Sequence, residues 1–146
     1  MGKSKECEFC RLKDVQKRKI ASNDLSWAFL TKTPITVGHS LVVPNRCVSK
    51  IADLKKEEWL SLLELVLKVQ KNLEKILKIK DFNIAWNEGF NAGQTIPHLH
   101  IHIVPRKKGD SGIYNYEPRK FLYRPGKREE WAENDLEHLA FQIKNS

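Results

Sequence analysis

The chain has 146 residues, 40% hydrophobic and 30% charged, and its 26 basic against 18 acidic side chains leave a net charge of +8. That length suits one domain with a real core, and the composition excludes an intrinsically disordered chain. No apolar run approaches the roughly 18 residues of a membrane span, and Met1-Gly2-Lys3-Ser4-Lys5-Glu6 lacks a signal peptide's apolar centre, so a cytoplasmic protein without membrane attachment is expected. The charge excess predicts either attraction to nucleotides, nucleic acid or an anionic surface, or simply a solvated lysine-rich face.

Cys7 and Cys10 form a C-x-x-C near the start, and Cys47 is the third cysteine. Three cysteines in a cytosolic chain argue against a disulfide framework. A redox pair would open a helix after a strand. No apolar strand precedes this one, so metal ligation is the better reading. Trp27-Ala28-Phe29-Leu30 reads as a strand after the Asn23-Asp24 turn, and His39-Ser40-Leu41-Val42-Val43-Pro44 as a second one stopped by proline. From Asp53 to Ile79 the pattern is helical. Leu54, Trp59, Leu62, Leu63, Val66, Val69, Leu73, Ile76 and Leu77 recur at three- and four-residue steps, with Asp53 placed to cap and Glu57 and Glu58 in the first turn.

Phe82 to Asn87 alternates as a strand, and Glu88-Gly89-Phe90-Asn91-Ala92-Gly93-Gln94 reads as turns leading into a strand at 97–106. Beyond Gly109 the chain is expected to be largely irregular. It carries a basic run of Arg106, Lys107, Lys108, Arg119, Lys120, Arg124, Lys127 and Arg128, and a last helix from about Glu129 or Asn134. That helix would set Ala132, Leu136, Leu139, Ala140 and Ile143 on one face. Strands beside strands with one long helix between them indicate an α+β fold with an antiparallel sheet.

His98-Leu99-His100-Ile101-His102 sets three of the five histidines on alternate positions. In a strand these share one face, with the outer two about 13 Å apart at Cα. All three could meet one ion only if the strand bent, so separate jobs are expected, although structural histidines would show the same spacing. A neutral imidazole is a good nucleophile near pH 7. Attack on phosphorus gives a nucleotidyl-histidine, and a neighbouring imidazole can serve the leaving oxygen. Backbone N–H groups in the Asn91–Thr95 turn could hold phosphate oxygens.

The segment His98-Leu99-His100-Ile101-His102-Ile103-Val104 resembles the His-φ-His-φ-His-φ-φ signature (φ hydrophobic) of the histidine triad family. Asn87-Glu88-Gly89, Gly93-Gln94-Thr95 and Gly38-His39-Ser40-Leu41-Val42-Val43-Pro44 extend the resemblance over about residues 7–108. It implies a homodimer of single domains spanning 1–146. Each would hold a five-stranded antiparallel sheet with one long and one or two short helices, over a core at about 7–108 and a basic extension with the terminal helix at 109–146.

The resemblance further implies that His100 is the nucleophile at a nucleotide's α-phosphate and that His102 meets the phosphate or leaving group, with His98 as the third catalytic histidine. His39 and Asn87 would hold the site, Gly93, Gln94 and Thr95 would contact phosphate, and Phe29 would lie near the base. Thr31 stands where the family commonly has a ribose-binding Asp. Cys47 stands near a position often occupied by a zinc-binding histidine. Cys7, Cys10, Cys47 and His98 would then hold one structural zinc, a standard closed Cys₃His set.

Pro105-Arg106 after the triad resembles the dinucleoside polyphosphate hydrolases. Nucleoside phosphoramidate hydrolysis, or nucleotide binding with little turnover, are the alternatives. No convincing nucleic-acid-binding segment is found, so nucleic acid is not the expected partner.

Overall fold

The computed structural model describes residues 7–11, 13–110, 112 and 129–146. The basic residues from Arg119 to Arg128 and the irregular stretch expected at 113–128 lie outside them. The chain divides into two compact units, Met1–Tyr116 and Glu117–Ser146.

The first unit opens with two short helices, α1 (Glu8–Arg11) and α2 (Lys13–Lys17), which the sequence reading did not place. Strands β1 (Lys19–Ser22), β2 (Ser26–Leu30) and β3 (Ser40–Pro44) follow. Next come a 3₁₀ turn (Ile51–Asp53), the long helix α3 (Lys56–Leu77), β4 (Asp81–Ala85), a second 3₁₀ turn (Phe90–Ala92) and β5 (Ile101–Arg106). The five strands form one sheet in the order β1-β2-β3-β5-β4, and each neighbouring pair is antiparallel. The expected sheet is therefore present, with β1 added at one edge.

Alternation in β2 sends Ala28 to one face and Trp27 and Phe29 to the other, because successive side chains of a strand point oppositely. The first face packs Ala28, Val42, Ile101 and Ile103 beneath Leu62, Leu65, Val66, Val69 and Leu73 of α3. These helical positions recur at one stripe, as the sequence periodicity required. On the second face Trp27, Phe29, Leu41 and Val43 meet Cys7, Phe9 and Val15 from the N-terminal segment. The site described below is built on this second face.

Two local expectations are corrected. Asp53 does not cap α3. It ends a separate 3₁₀ turn, Leu54 and Lys55 are extended, and Glu58 reaches back to accept the Lys55 N–H at 2.9 Å. That carboxylate supplies the first-turn cap.

The histidine strand begins later than 97. His98 and His100 precede β5, and only His102 lies within it. The β3–β5 register runs Ser40↔Ile103, Leu41↔His102 and Val42↔Ile101. Continuing it would set Leu99 against Pro44, which has no N–H to donate. The chain bends instead, and Leu99 N–H donates to Val48 O at 2.6 Å.

The second unit contains α4 (Glu133–Lys144), within the range read from the sequence, with Glu133 and Asp135 in its first turn and Lys144 in its last. No described helix is long and apolar enough to cross a membrane.

Candidate functional site

His98 and His100 are buried and His102 is half-buried. The ring centroids of His100 and His102 lie 5.0 Å apart. Phe9 stands edge-on to His100 at 5.3 Å and to Phe29 at 5.2 Å, so α1 closes one side of the histidine row. Phe9 was missed in the sequence reading. Its only signal was an aromatic inside the C-x-x-C, which spacing alone cannot connect to a segment ninety residues on.

One backbone amide settles where the protons sit. Ile35 N–H donates to Nδ1 of His39 at 3.1 Å, so that nitrogen is bare and neutral His39 carries its proton on Nε2. Nε2 of His39 lies 3.0 Å from Nδ1 of His102 and donates to it. His102 therefore keeps its own proton on Nε2. Nδ1–H of His100 donates to the His98 carbonyl at 2.8 Å, leaving Nε2 of His100 unprotonated. Adjacent rings thus present opposite faces, a lone pair on His100 and an N–H on His102.

Burial keeps these rings neutral. Desolvation lowers the pKa of His39, His98 and His100. His102 falls to about 4 through desolvation first, then repulsion from His100 and His39.

Gly38, at φ +89°, turns the chain into His39. A Cβ there would stand 2.8 Å from Leu77 Cδ1. Thr31 sits at the end of β2. Its N–H donates to His39 O at 3.2 Å, and its hydroxyl accepts the Thr33 N–H at 3.3 Å.

The 89–95 loop differs from the expected phosphate cradle. Gly93 N–H donates to Phe90 O and Gln94 N–H to Gly89 O, because the 3₁₀ turn closes on them. The buried Gln94 side chain accepts from Gly89 N–H at 2.8 Å and donates to Ser49 O at 2.9 Å. Gly93 (φ +94°) passes beside Asn87, whose Nδ2 would be 3.5 Å from an added Cβ. The exposed Thr95 makes no hydrogen bond among the described residues, which leaves its hydroxyl and N–H as donors for an anion.

His98 faces another group. Its Nδ1 lies 3.2 Å from Cys7 Sγ and 3.7 Å from Cys10 Sγ, and its Nε2–H donates to Pro44 O at 2.8 Å. Both ring nitrogens are thus engaged inside the protein. The ligand atoms of Cys7, Cys10, Cys47 and His98 all lie within 4.8 Å of one another, a cluster able to hold a metal ion. Burial first, then neighbouring Cys7 and Cys10, push the Cys47 thiol up to about 12. A Cys47 thiolate is disfavoured here unless a cation joins it, and the three sulfurs with the bare Nδ1 of His98 make a soft four-donor set.

The loop bearing Cys47 is fixed on both sides. Arg46 Nη2 and Nε donate to Glu58 at 2.7 and 3.2 Å, and the Cys47 Sγ approaches Pro97 O at 4.0 Å.

This sheet, helix and histidine row define a histidine triad protein. The HIT domain pattern matches residues 13–109, and the chain belongs to that family. It is similar to the bis(5'-adenosyl)-triphosphatase of Dictyostelium discoideum, 34% identical over 128 residues covering 85% of this chain and 86% of that one. It is also similar to a bis(5'-nucleosyl)-tetraphosphatase (asymmetrical) of Schizosaccharomyces pombe, 46% identical over 86 residues, 59% of this chain and 47% of the relative. The chain thus spans about half the length of that relative. Among solved structures, SMU.412c of Streptococcus mutans superposes with a TM-score of 0.79 at 28% identity, covering 99% of this chain and 87% of that chain.

Proposed function

We propose that the chain is a nucleotidyl hydrolase or transferase that cleaves dinucleoside polyphosphates at the α-phosphate. The observation that carries this reading is the opposite protonation of two neighbouring rings. The bare Nε2 of His100 attacks phosphorus, the N–P bond forms, and the bond to the leaving oxygen breaks. The Nε2–H of His102 donates to that oxygen as charge develops, and His39 holds the donor tautomer in place. Water then hydrolyses the adduct and returns His100 neutral. Thr95 contacts phosphate, Asn87 and Gly93 shape the loop beside it, and Gln94 positions that loop through Gly89 and Ser49. Phe29 and Phe9 form the apolar wall for a base. With Thr31 in place of a carboxylate, ribose hydroxyls meet one weaker acceptor. His98 acts by position, since neither nitrogen reaches outward.

Cys7, Cys10, Cys47 and His98 are read as the holders of one structural zinc. When bound, the ion neutralises the thiolates and fixes the bend before β5. Four protein ligands leave it no open position. The chain is further read as a cytoplasmic homodimer with its catalytic core at about 7–108 and a basic extension after it. Supporting the dimer, β4 is paired on one side only among the described residues, and Ile84 within it and Trp86 just after it are exposed.

The test is mass spectrometry of a quenched reaction with diadenosine polyphosphate, run beside an adenosine phosphoramidate. A nucleotidyl adduct on His100, absent from His100→Asn, is expected, with faster turnover of the polyphosphate. Full turnover by His100→Asn overturns the mechanism. Faster turnover of the phosphoramidate overturns the substrate class.

A further inference from the structure

We infer that Cys10 and Cys47 form an oxidisable pair, whose disulfide expels the metal and releases the end of the triad segment. The inference rests on the metal reading above. All three cysteines are reduced in the structure. Their sulfurs and His98 Nδ1 lie within 4.8 Å of one another, so no large movement separates the thiols from bonding distance. Exposure distinguishes the three. Cys7 is 2% exposed, whereas Cys10 and Cys47 are half-buried. Cys10 also lines a cleft of about 270 Å³ with Phe9, Gln16, Lys19 and Trp27, which gives a small oxidant a route to this residue.

With peroxide as oxidant the steps balance. The Cys10 thiolate attacks one peroxide oxygen, giving a sulfenic acid and hydroxide. The Cys47 thiolate then attacks that sulfur, the S–O bond breaks, and a second hydroxide leaves. Two protons from solvent convert both hydroxides to water. The sulfurs together lose two electrons and peroxide gains them. The metal keeps only Cys7 and His98 as ligands and dissociates. His98 Nδ1 then keeps only Cys7 Sγ as a sulfur neighbour, while its carbonyl still accepts from His100. The oxidation therefore loosens the residue that sets the nucleophile's tautomer. A thiol reductant with fresh metal reverses the change. Reversible thiol chemistry of this kind is how reducing compartments use disulfides.

The experiment exposes metal-loaded protein to hydrogen peroxide. It follows released metal with a colorimetric chelator, intact mass, disulfide-linked peptides and nucleotide turnover. Stoichiometric metal release is expected together with loss of two hydrogens, a linked Cys10–Cys47 peptide pair, lower turnover, and recovery of all of these on reduction with zinc. Cys47→His keeps a fourth ligand but removes the partner thiol, and it should retain its metal under the same exposure. Metal retained by the wild type, a linkage that excludes Cys47, or metal loss from Cys47→His at the wild-type rate overturns the inference. Protein that never takes up stoichiometric zinc at the outset instead overturns the metal reading, which separates the two failures.

Discussion

His39 donates from Nε2 to Nδ1 of His102 across 3.0 Å, and the Ile35 amide leaves His39 no other arrangement. A short chain of hydrogen bonds thus runs from the main chain of one loop through His39 to the His102 ring. Replacing His39 by Ala removes the acceptor for Ile35 and the donor to His102, so the His102 proton is free to move to Nδ1. The expected result is a kcat lower by about 10²-fold, the lower end of what a positioned acid contributes, with nucleotide affinity little changed. Steady-state kinetics with a binding isotherm would separate the two.

The acid limb of the rate is expected well below the ordinary imidazole range. His102 is lowered from 6.5 to about 4, and His39 and His100 are also lowered, each chiefly by burial. All three are neutral at pH 7, and activity holds as pH falls past 6.5. It is lost as pH approaches 4. The same shift links to stability. Between 6.5 and about 4 the unfolded chain binds more protons at His102 than the folded one does. This contribution is therefore complete above 6.5 and disappears as pH falls through that window. Denaturant midpoints measured from pH 7 to 4 should drop more steeply for the wild type than for His102→Gln.

Gly38→Ala tests the turn that delivers His39. At φ +89° a side chain is strained, and the new Cβ would meet Leu77 at 2.8 Å, Leu73 at 3.2 Å and Pro105 at 3.3 Å. The backbone strain alone is about 1–3 kcal/mol, and the contacts add to it. A lower melting temperature with a reduced kcat is expected, since the displaced turn carries both His39 and Thr36, whose hydroxyl donates to Pro105 O at 2.7 Å.

Glu58→Gln tests the clasp on the Cys47 loop. Glu58 is buried, and its carboxylate, held below the usual range chiefly by the Arg46 hydrogen bond, also accepts from Lys55 N–H. A neutral amide has one acceptor oxygen fewer for these donors. The expected loss is about 1–3 kcal/mol, together with faster metal release to a competing chelator, while the substrate KM stays near that of the wild type.

Much of this was legible in the sequence because the signals were local and periodic. The stripe from Leu62 to Leu73 announced α3. The alternation of His98, His100 and His102 with Leu99 and Ile101 announced a segment with two different faces, of which only the part from Ile101 is strand. The grouping of Cys7, Cys10, Cys47 and His98, read from the family resemblance, matches the cluster found. What stayed hidden depended on partners far along the chain. β1 is four residues, Lys19 to Ser22, with no apolar alternation, and it is strand only because β2 offers an edge. The delay of β5 follows from Pro44 lying opposite Leu99, a register that no single segment reveals. The engagement of the Gln94 side chain with Gly89 and Ser49 is likewise a tertiary fact.

His98 uses every polar atom of its ring and its carbonyl: Nδ1 toward sulfur, Nε2 toward Pro44, and the oxygen toward His100. Both ring nitrogens are engaged inside the protein, so a saturation screen should return position 98 as intolerant as position 100. The two intolerances have different origins. Position 100 would fail in the reaction with intact protein, whereas position 98 would fail in assembly. A map of essential residues drawn from activity alone would merge the engine with its mounting.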